Sequence, residues 1–197
     1  MIFDKYINKK GICFVLSGPS GIGKDTVLEY LKKDYPLNKV VTATTRAKRP
    51  GETDGVDYDF MTPEEFEKKI AENYFLEYAS FSGNYYGTPK ANAEKLLGQG
   101  KNALLKIEVQ GAVNVKKLMP EAVLIFLAPS SMELLEERLR GRGTDKEEDI
   151  IKRLETAKKE MEYIKYYDYL IINENSQETA KTVKNILVSQ TYKVSHN

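Results

Sequence analysis

ICFVLSGPSGIGKDT, residues 12–26, places a short apolar run, a glycine loop and a lysine in unbroken order. Ile12 to Leu16 is rich in branched and aromatic side chains. It is too short for a helix and does not alternate, so it predicts a strand buried on both faces. Gly18, Gly21 and Gly23 permit backbone angles closed to other residues, which lets consecutive N–H groups turn inward as an anion nest. Asp25 to Lys33 reads as a helix, whose positive end adds to that nest. Lys24 supplies a point charge that can follow a moving phosphate. Gly18, Pro19, Ser20, Gly21, Ile22, Gly23, Lys24, Asp25 and Thr26 are therefore the candidate cradle for a nucleotide's phosphates. One position departs from the common form of such loops. A hydroxyl residue that ligates magnesium usually follows the lysine, and here Asp25 stands there, with Thr26 next. Asp25 could ligate the ion, reach it through water, or cap the helix.

Working outward, strands and helices alternate over most of the chain. Val40 to Thr44, Tyr58 to Met61, Leu76 to Phe81, Ala103 to Val109, Val123 to Leu127 and Leu170 to Ile172 read as strands. Thr62, Pro63 and Glu65 announce a helix by a capping box, and Ser130 with Glu133 and Thr144 with Glu147 read as two more. Thr88 and Pro89 open another helix, which Gly98 and Gly100 close. Helices run on to about Leu118 and from about Gln177, and the one after Thr144 carries Ile150, Ile151, Leu154, Ala157 and Met161 on one stripe. This rhythm predicts an α/β fold, a parallel sheet with helices on both faces. The core is expected at about 1–37, 89–136 and 149–197. Short strands and turns at about 38–88 read as an insertion over the site. The polar stretch at about 137–148 reads as a lid.

Composition narrows the partners. The 30 Lys plus Arg balance 29 Asp plus Glu, so bulk charge gives no case for a nucleic-acid or membrane surface. No apolar run approaches membrane-spanning length, and MIFDKYINKK at the start lacks a signal peptide's apolar stretch. Cys13 is the only cysteine, which excludes an intrachain disulfide and suits a reducing cytoplasm. His196 is the only histidine and lies in the polar tail, which argues against histidine metal sites and Ser-His triads.

Four further groups bear on the substrate. Arg46 and Arg49, three apart in a glycine-containing loop with Lys48, can converge on one phosphate by forked hydrogen bonds. Hydroxyls of Tyr58, Tyr85 and Tyr86 could finish that cage. Glu77, followed by Tyr86-Gly87-Thr88, can accept from the N1 and N2 edge of guanine, where adenine would oppose it with an acceptor. The threonine hydroxyl can donate to guanine O6. Arg138, Arg140, Arg142 and Arg153 can close over a transferring phosphoryl group, whose charge spreads over its oxygens.

SGPSGIGKDTV, TTRAKRPGETDGVDYDF, FLEYASFSGNYYGTP, IEVQGA, RLRGRGTD and a late IIN, in this order, resemble the guanylate kinase family over nearly the whole chain. The resemblance implies a P-loop nucleoside monophosphate kinase with an inserted GMP-binding segment and a lid. It implies ATP + GMP ⇌ ADP + GDP, or the dGMP equivalent, with Mg2+, by direct in-line transfer in purine nucleotide metabolism. By it, Arg46, Arg49, Tyr58 and Tyr86 hold the GMP phosphate. Thr42, Glu77, Thr88 and Glu108 recognise guanine, and Asn173 sits near adenine. Lys24, Arg46, Arg138, Arg142 and Arg153 act on the moving group. The partners would be ATP and GMP, with no nucleic acid and no membrane, in a monomer or homodimer. Asp25 and Glu108 are the candidate metal contacts. Lys106 stands where the family's strand usually carries an acid, two residues before Glu108. It could attract phosphate, or point away and leave Glu108 and Asp25 to organise magnesium.

Overall fold

The computed structural model describes residues 10–81, 83–141 and 146–194. Strand β1 (Cys13–Ser17) is buried along its whole length. Its pleat sends alternate residues to opposite layers. Phe14 and Leu16 meet Val27, Leu28 and Leu31 of α1 (Lys24–Asp34) and Val183 and Leu187 of α7 (Ser176–Thr191). Cys13 and Val15 join Ala93 of α3 (Lys90–Gly98) and Ala112 and Val115 of α4 (Val109–Leu118). Helices cover both faces, which is why the strand is apolar without alternation. Burial pushes the Cys13 thiol up to about 12, so it packs as an inert small hydrophobe.

β6 (Ala103–Lys106), β7 (Val123–Ala128) and β8 (Tyr169–Ile172) complete a parallel sheet in the order β6-β1-β7-β8. The expected α/β core is present. β6 ends three residues earlier than the sequence predicts, because Val109 is drawn into α4, where it, Ala112 and Val115 are buried.

A second sheet has the order β3-β2-β5-β4, from β2 (Thr42–Thr44), β3 (Tyr58–Phe60), β4 (Phe75–Phe81) and β5 (Asn84–Pro89). Register sorts its two faces. Thr42 pairs with Tyr58, Thr44 with Tyr86, Ala79 with Tyr86 and Glu77 with Thr88, so these side chains share one face. The opposite face carries Ala43 and Tyr85 and is sealed by α2 (Pro63–Ala71). There Phe66 stacks on Phe75 at 4.3 Å and on Tyr85 at 5.1 Å. The capping box at Thr62 and Glu65 forms as its residues predict. The sequence reading did not foresee β5, because Tyr86 and Thr88 turn polar groups to a face where a core strand would show apolar ones.

Helix starts differ more. α5 (Met132–Arg140) is capped by Ser131, whose hydroxyl accepts from Leu134 N at 3.2 Å, and not by Ser130 with Glu133. α6 (Glu147–Met161) has Lys146 at its cap with no side-chain bond, and Thr144, expected to open it, lies outside the described residues. Ile150 and Ala157 are buried, but Ile151 is 47% exposed: the stripe is narrower than expected. Glu160 shares the inner face of this helix, 1% exposed.

Candidate active site

Between the ends of β1 and β6 and the polar face of the second sheet lies a cavity of about 490 Å³. It is lined by Ser20, Gly21, Gly23, Lys24, Asp25, Thr26, Thr42, Arg46, Arg49, Tyr58, Glu77, Tyr86, Glu108 and Arg153, residues expected there from sequence. The carboxyl edge of a parallel sheet is the usual place for such a cleft.

The glycine loop forms the floor. Gly23 has φ +97° at the cap of α1, in the left-handed region that costs glycine little. The Lys24 ammonium donates to Gly18 O at 2.6 Å and Pro19 O at 3.2 Å, so it lies across the loop. Ile22 O accepts from Asn173 Nδ2 at 2.6 Å and from Arg138 Nη1 at 3.4 Å. Arg138 also donates to Glu174 O at 2.9 Å. Asn173 and Arg138 therefore brace the loop from behind. They do not line the cavity, and neither do Gly18, Pro19, Ile22 or Thr88. Arg142 lies outside the described residues.

The wall beside the loop carries the arginine pair. Arg46 Nη2 donates to Glu52 Oε1 at 2.7 Å, and Arg49 N donates to Glu52 Oε2 at 2.8 Å. Glu52 thus folds the loop so that both arginines face one space. The Arg46 guanidinium lies 5.5 Å from the Tyr58 ring centre, and the Tyr58 and Tyr86 rings stand 6.2 Å apart. Tyr85, a third candidate, points to the other face, where its hydroxyl donates to Glu67. Arg140 is also drawn elsewhere, into ion pairs with Glu136 and Glu147.

At the far end, Glu77 is 6% exposed and accepts from the Thr88 hydroxyl at 2.7 Å. Burial pushes its carboxyl up to about 7, Thr88 pulls against that, and Glu108 adds to it. Glu108 caps α4 without a side-chain cap bond, and its Oε2 is buried with no hydrogen-bond partner among the described residues. Two acidic groups therefore converge on one end of the cavity. Such an arrangement suits a ligand that brings hydrogen-bond donors.

A family model described as guanylate kinase matches residues 10–190. The chain belongs to the guanylate kinase family. It is 47% identical to a guanylate kinase of Streptococcus thermophilus (strain CNRZ 1066) over 95% of this chain and 91% of that protein. It is 44% identical to one of Clostridium perfringens (strain SM101 / Type A) over 95% of this chain and 87% of that one. Among solved structures, a guanylate kinase from Anaplasma phagocytophilum superposes with a TM-score of 0.77 at 36% identity, covering 95% of this chain and 89% of that one.

Within this guanylate kinase family member, charged groups at or beside the cavity escaped the sequence reading, among them Glu52, Lys39 and Glu160. Glu52 holds Arg46. Lys39 lines the cavity beside Tyr58. Glu160 is pushed up to about 7 by burial and by Glu108, while Lys24 and the Ser20 amide pull it down. Only Glu160 left a usable signal: it falls three residues after buried Ala157, on the inner stripe. Lys106 does not point away from the site: its side chain lines the cavity and donates to Asp25 Oδ1 at 2.6 Å.

Proposed function

We propose that this chain is a guanylate kinase in the catalytic sense, moving the terminal phosphoryl group of ATP to GMP or dGMP. One observation carries this: a buried, hydrogen-bonded acid pocket, Glu77 with Thr88, faces a phosphate loop across a single cavity, with an arginine pair between them. The guanine would donate N1–H and N2–H to Glu77, with Thr42 and Glu108 beside it. Arg46, Arg49, Tyr58 and Tyr86 would take the GMP phosphate, and residues 18–26 the ATP phosphates. Residues at about 38–88 would serve as the acceptor-binding insertion, and those at about 137–148 as a lid closing over it.

No residue needs to be phosphorylated. Catalysis would come from positioning and from fixed positive charge, with Arg153 reaching in from α6 and closure excluding water. Arg138 and Asn173 would act by stiffening the loop.

The described residues contain no group of three or more acidic, histidine or cysteine side chains able to hold a metal alone. That fits Mg2+ arriving with ATP, since Mg2+ is bound mostly by phosphate oxygens and water with one or two protein groups. Asp25, Thr26 and Glu108 would offer oxygens to it. The ion would neutralise phosphate charge.

An acceptor panel of GMP, dGMP, AMP, CMP and UMP with ATP, read as coupled ADP release, tests this. GMP and dGMP should be strongly preferred. Absence of any acceptor-dependent release would instead favour a binding module of the same fold, and equal use of AMP would remove Glu77 from its role.

A further inference from the structure

We propose that Lys106 is a phosphate-binding residue of the transfer site, with Asp25 as the carboxylate that positions it. The inference rests on the kinase reading above and deepens it.

Lys106 is the last residue of β6, in register with Leu16 just before the phosphate loop. Its side chain is only 10% exposed, yet it lines the cavity. It lies between the loop and the arginine wall. Asp25 Oδ1 stands 2.6 Å from its ammonium on one side, and the Tyr58 ring centre 5.4 Å on the other. Asp25 comes from the first turn of α1, so the pair ties the loop's helix to the strand end. An ammonium has three donors; Asp25 engages one and the Tyr58 hydroxyl is close enough to take a second, which leaves one for a phosphate oxygen.

Lys24, Lys39 and Lys106 line this cavity together with the carboxylates Asp25, Glu29 and Asp57, and Asp25 is the one that pairs with Lys106. Burial opposes charge on Lys106, but Tyr58 and Asp25 outweigh it and hold its pKa above the usual lysine value. The ammonium therefore stays charged in a space with little water to screen it. For Lys39, burial and the neighbouring Lys106 instead lower the pKa.

A merely structural ion pair would act through stability alone, so the test needs another readout. ATP and GMP binding would be measured calorimetrically with EDTA present, for wild type, Lys106→Met and Lys106→Arg, beside thermal unfolding of each. Lys106→Met should weaken metal-free binding of at least one nucleotide on the order of tenfold or more, the loss expected for one charged hydrogen bond. Lys106→Arg should recover most of it. Asp25→Asn should cost metal-free affinity less than Lys106→Met does, because it loosens the ammonium without removing it. Unchanged metal-free affinity for both nucleotides in Lys106→Met overturns the proposal; Lys106→Gln serves the same end if the Met variant does not fold. Wild-type GMP-dependent ADP release, measured alongside, separates this failure from failure of the kinase reading.

Discussion

The Glu77 carboxylate occupies the space that a side chain at Gly111 would need. A Cβ built on Gly111 would stand 2.9 Å from Glu77 Cδ and would overlap Oε2. Gly111 sits on the buried face of α4, so the helix and the acid interlock. Gly111→Ala should push Glu77 out of line with Thr88. We expect a loss of about 1–3 kcal/mol in stability, typical of overpacking, despite alanine's better helix propensity. Calorimetric titration should show GMP binding weakened and ATP binding near wild type. Equal effects on both ligands would mean the helix, not the acid, had moved.

Glu77→Gln keeps the shape of this pocket and removes the charge. Glutamine can accept one guanine hydrogen bond but sets its own amide donors against the other. GMP should lose on the order of tenfold or more in kcat/KM, while AMP should change little or improve. The ratio of the two rates is the measurement. A ratio equal to wild type would move guanine recognition elsewhere in the cavity.

The buried acids also predict a pH trend. Glu77 and Glu160 are each raised from 4.5 to about 7 by burial. A raised carboxyl binds its proton more tightly in the folded chain, so its stabilising effect is present below pH 4.5 and is lost as pH rises to about 7. Each group should cost on the order of 3 kcal/mol across that window if fully uncoupled. Urea unfolding of the protein without nucleotide, from pH 4.5 to 8, should show the decline, and Glu77→Gln should flatten part of it. GMP binding at pH 6.5 should release protons, seen as a buffer-dependent heat that Glu77→Gln reduces, the remainder coming from the GMP phosphate, whose second pKa is about 6.

Much of this was legible in the sequence because it rests on local physics. The run at Ile12 to Leu16 and the glycine loop announce themselves, since strand burial and phosphate cradling depend on contiguous residues. The capping box at Thr62 is equally local. What sequence hid was set by tertiary register. β5 shows its polar face because that face lines the cavity, so it lacks the pattern of a core strand. Tyr85 and Tyr86 look equivalent in sequence, yet the pleat sends one to the α2 core and the other to the site. Asn173 and Arg138, which the resemblance places near adenine and the moving group, both donate to Ile22 O of the loop across 151 and 116 positions, contacts that no local pattern announces. The bond between Lys106 and Asp25 spans 81 positions and leaves no local trace.

The Arg46–Glu52 pair gives a test of the acceptor wall. Arg46→Ala removes a fork that two aromatic rings and one carboxylate hold in place. It should raise the KM for GMP by about ten- to a hundredfold, the range for a charged hydrogen bond to phosphate. Glu52→Gln should produce a smaller rise of the same kind, since it loosens Arg46 without deleting it. Wild-type GMP kinetics in Arg46→Ala would end the phosphate-cage reading.

Asn173 offers the complementary test on the donor side. Its Nδ2 holds Ile22 O at 2.6 Å while fully buried, and a Cβ on Gly23 would approach that same nitrogen to 3.1 Å. With alanine in its place, Ile22 O would keep only the longer bond from Arg138, at 3.4 Å. A buried carbonyl left so poorly satisfied costs about 1–3 kcal/mol. Part of that cost would be relieved by slackening the loop, which would scatter the inward N–H groups that a phosphate needs together. Asn173→Ala should therefore raise the KM for ATP several-fold and lower the unfolding midpoint, with the KM for GMP little changed. Direct contact between Asn173 and the donor's adenine would instead spare the midpoint and change discrimination between ATP and GTP as donors, so measuring both donors beside thermal unfolding distinguishes bracing from base recognition.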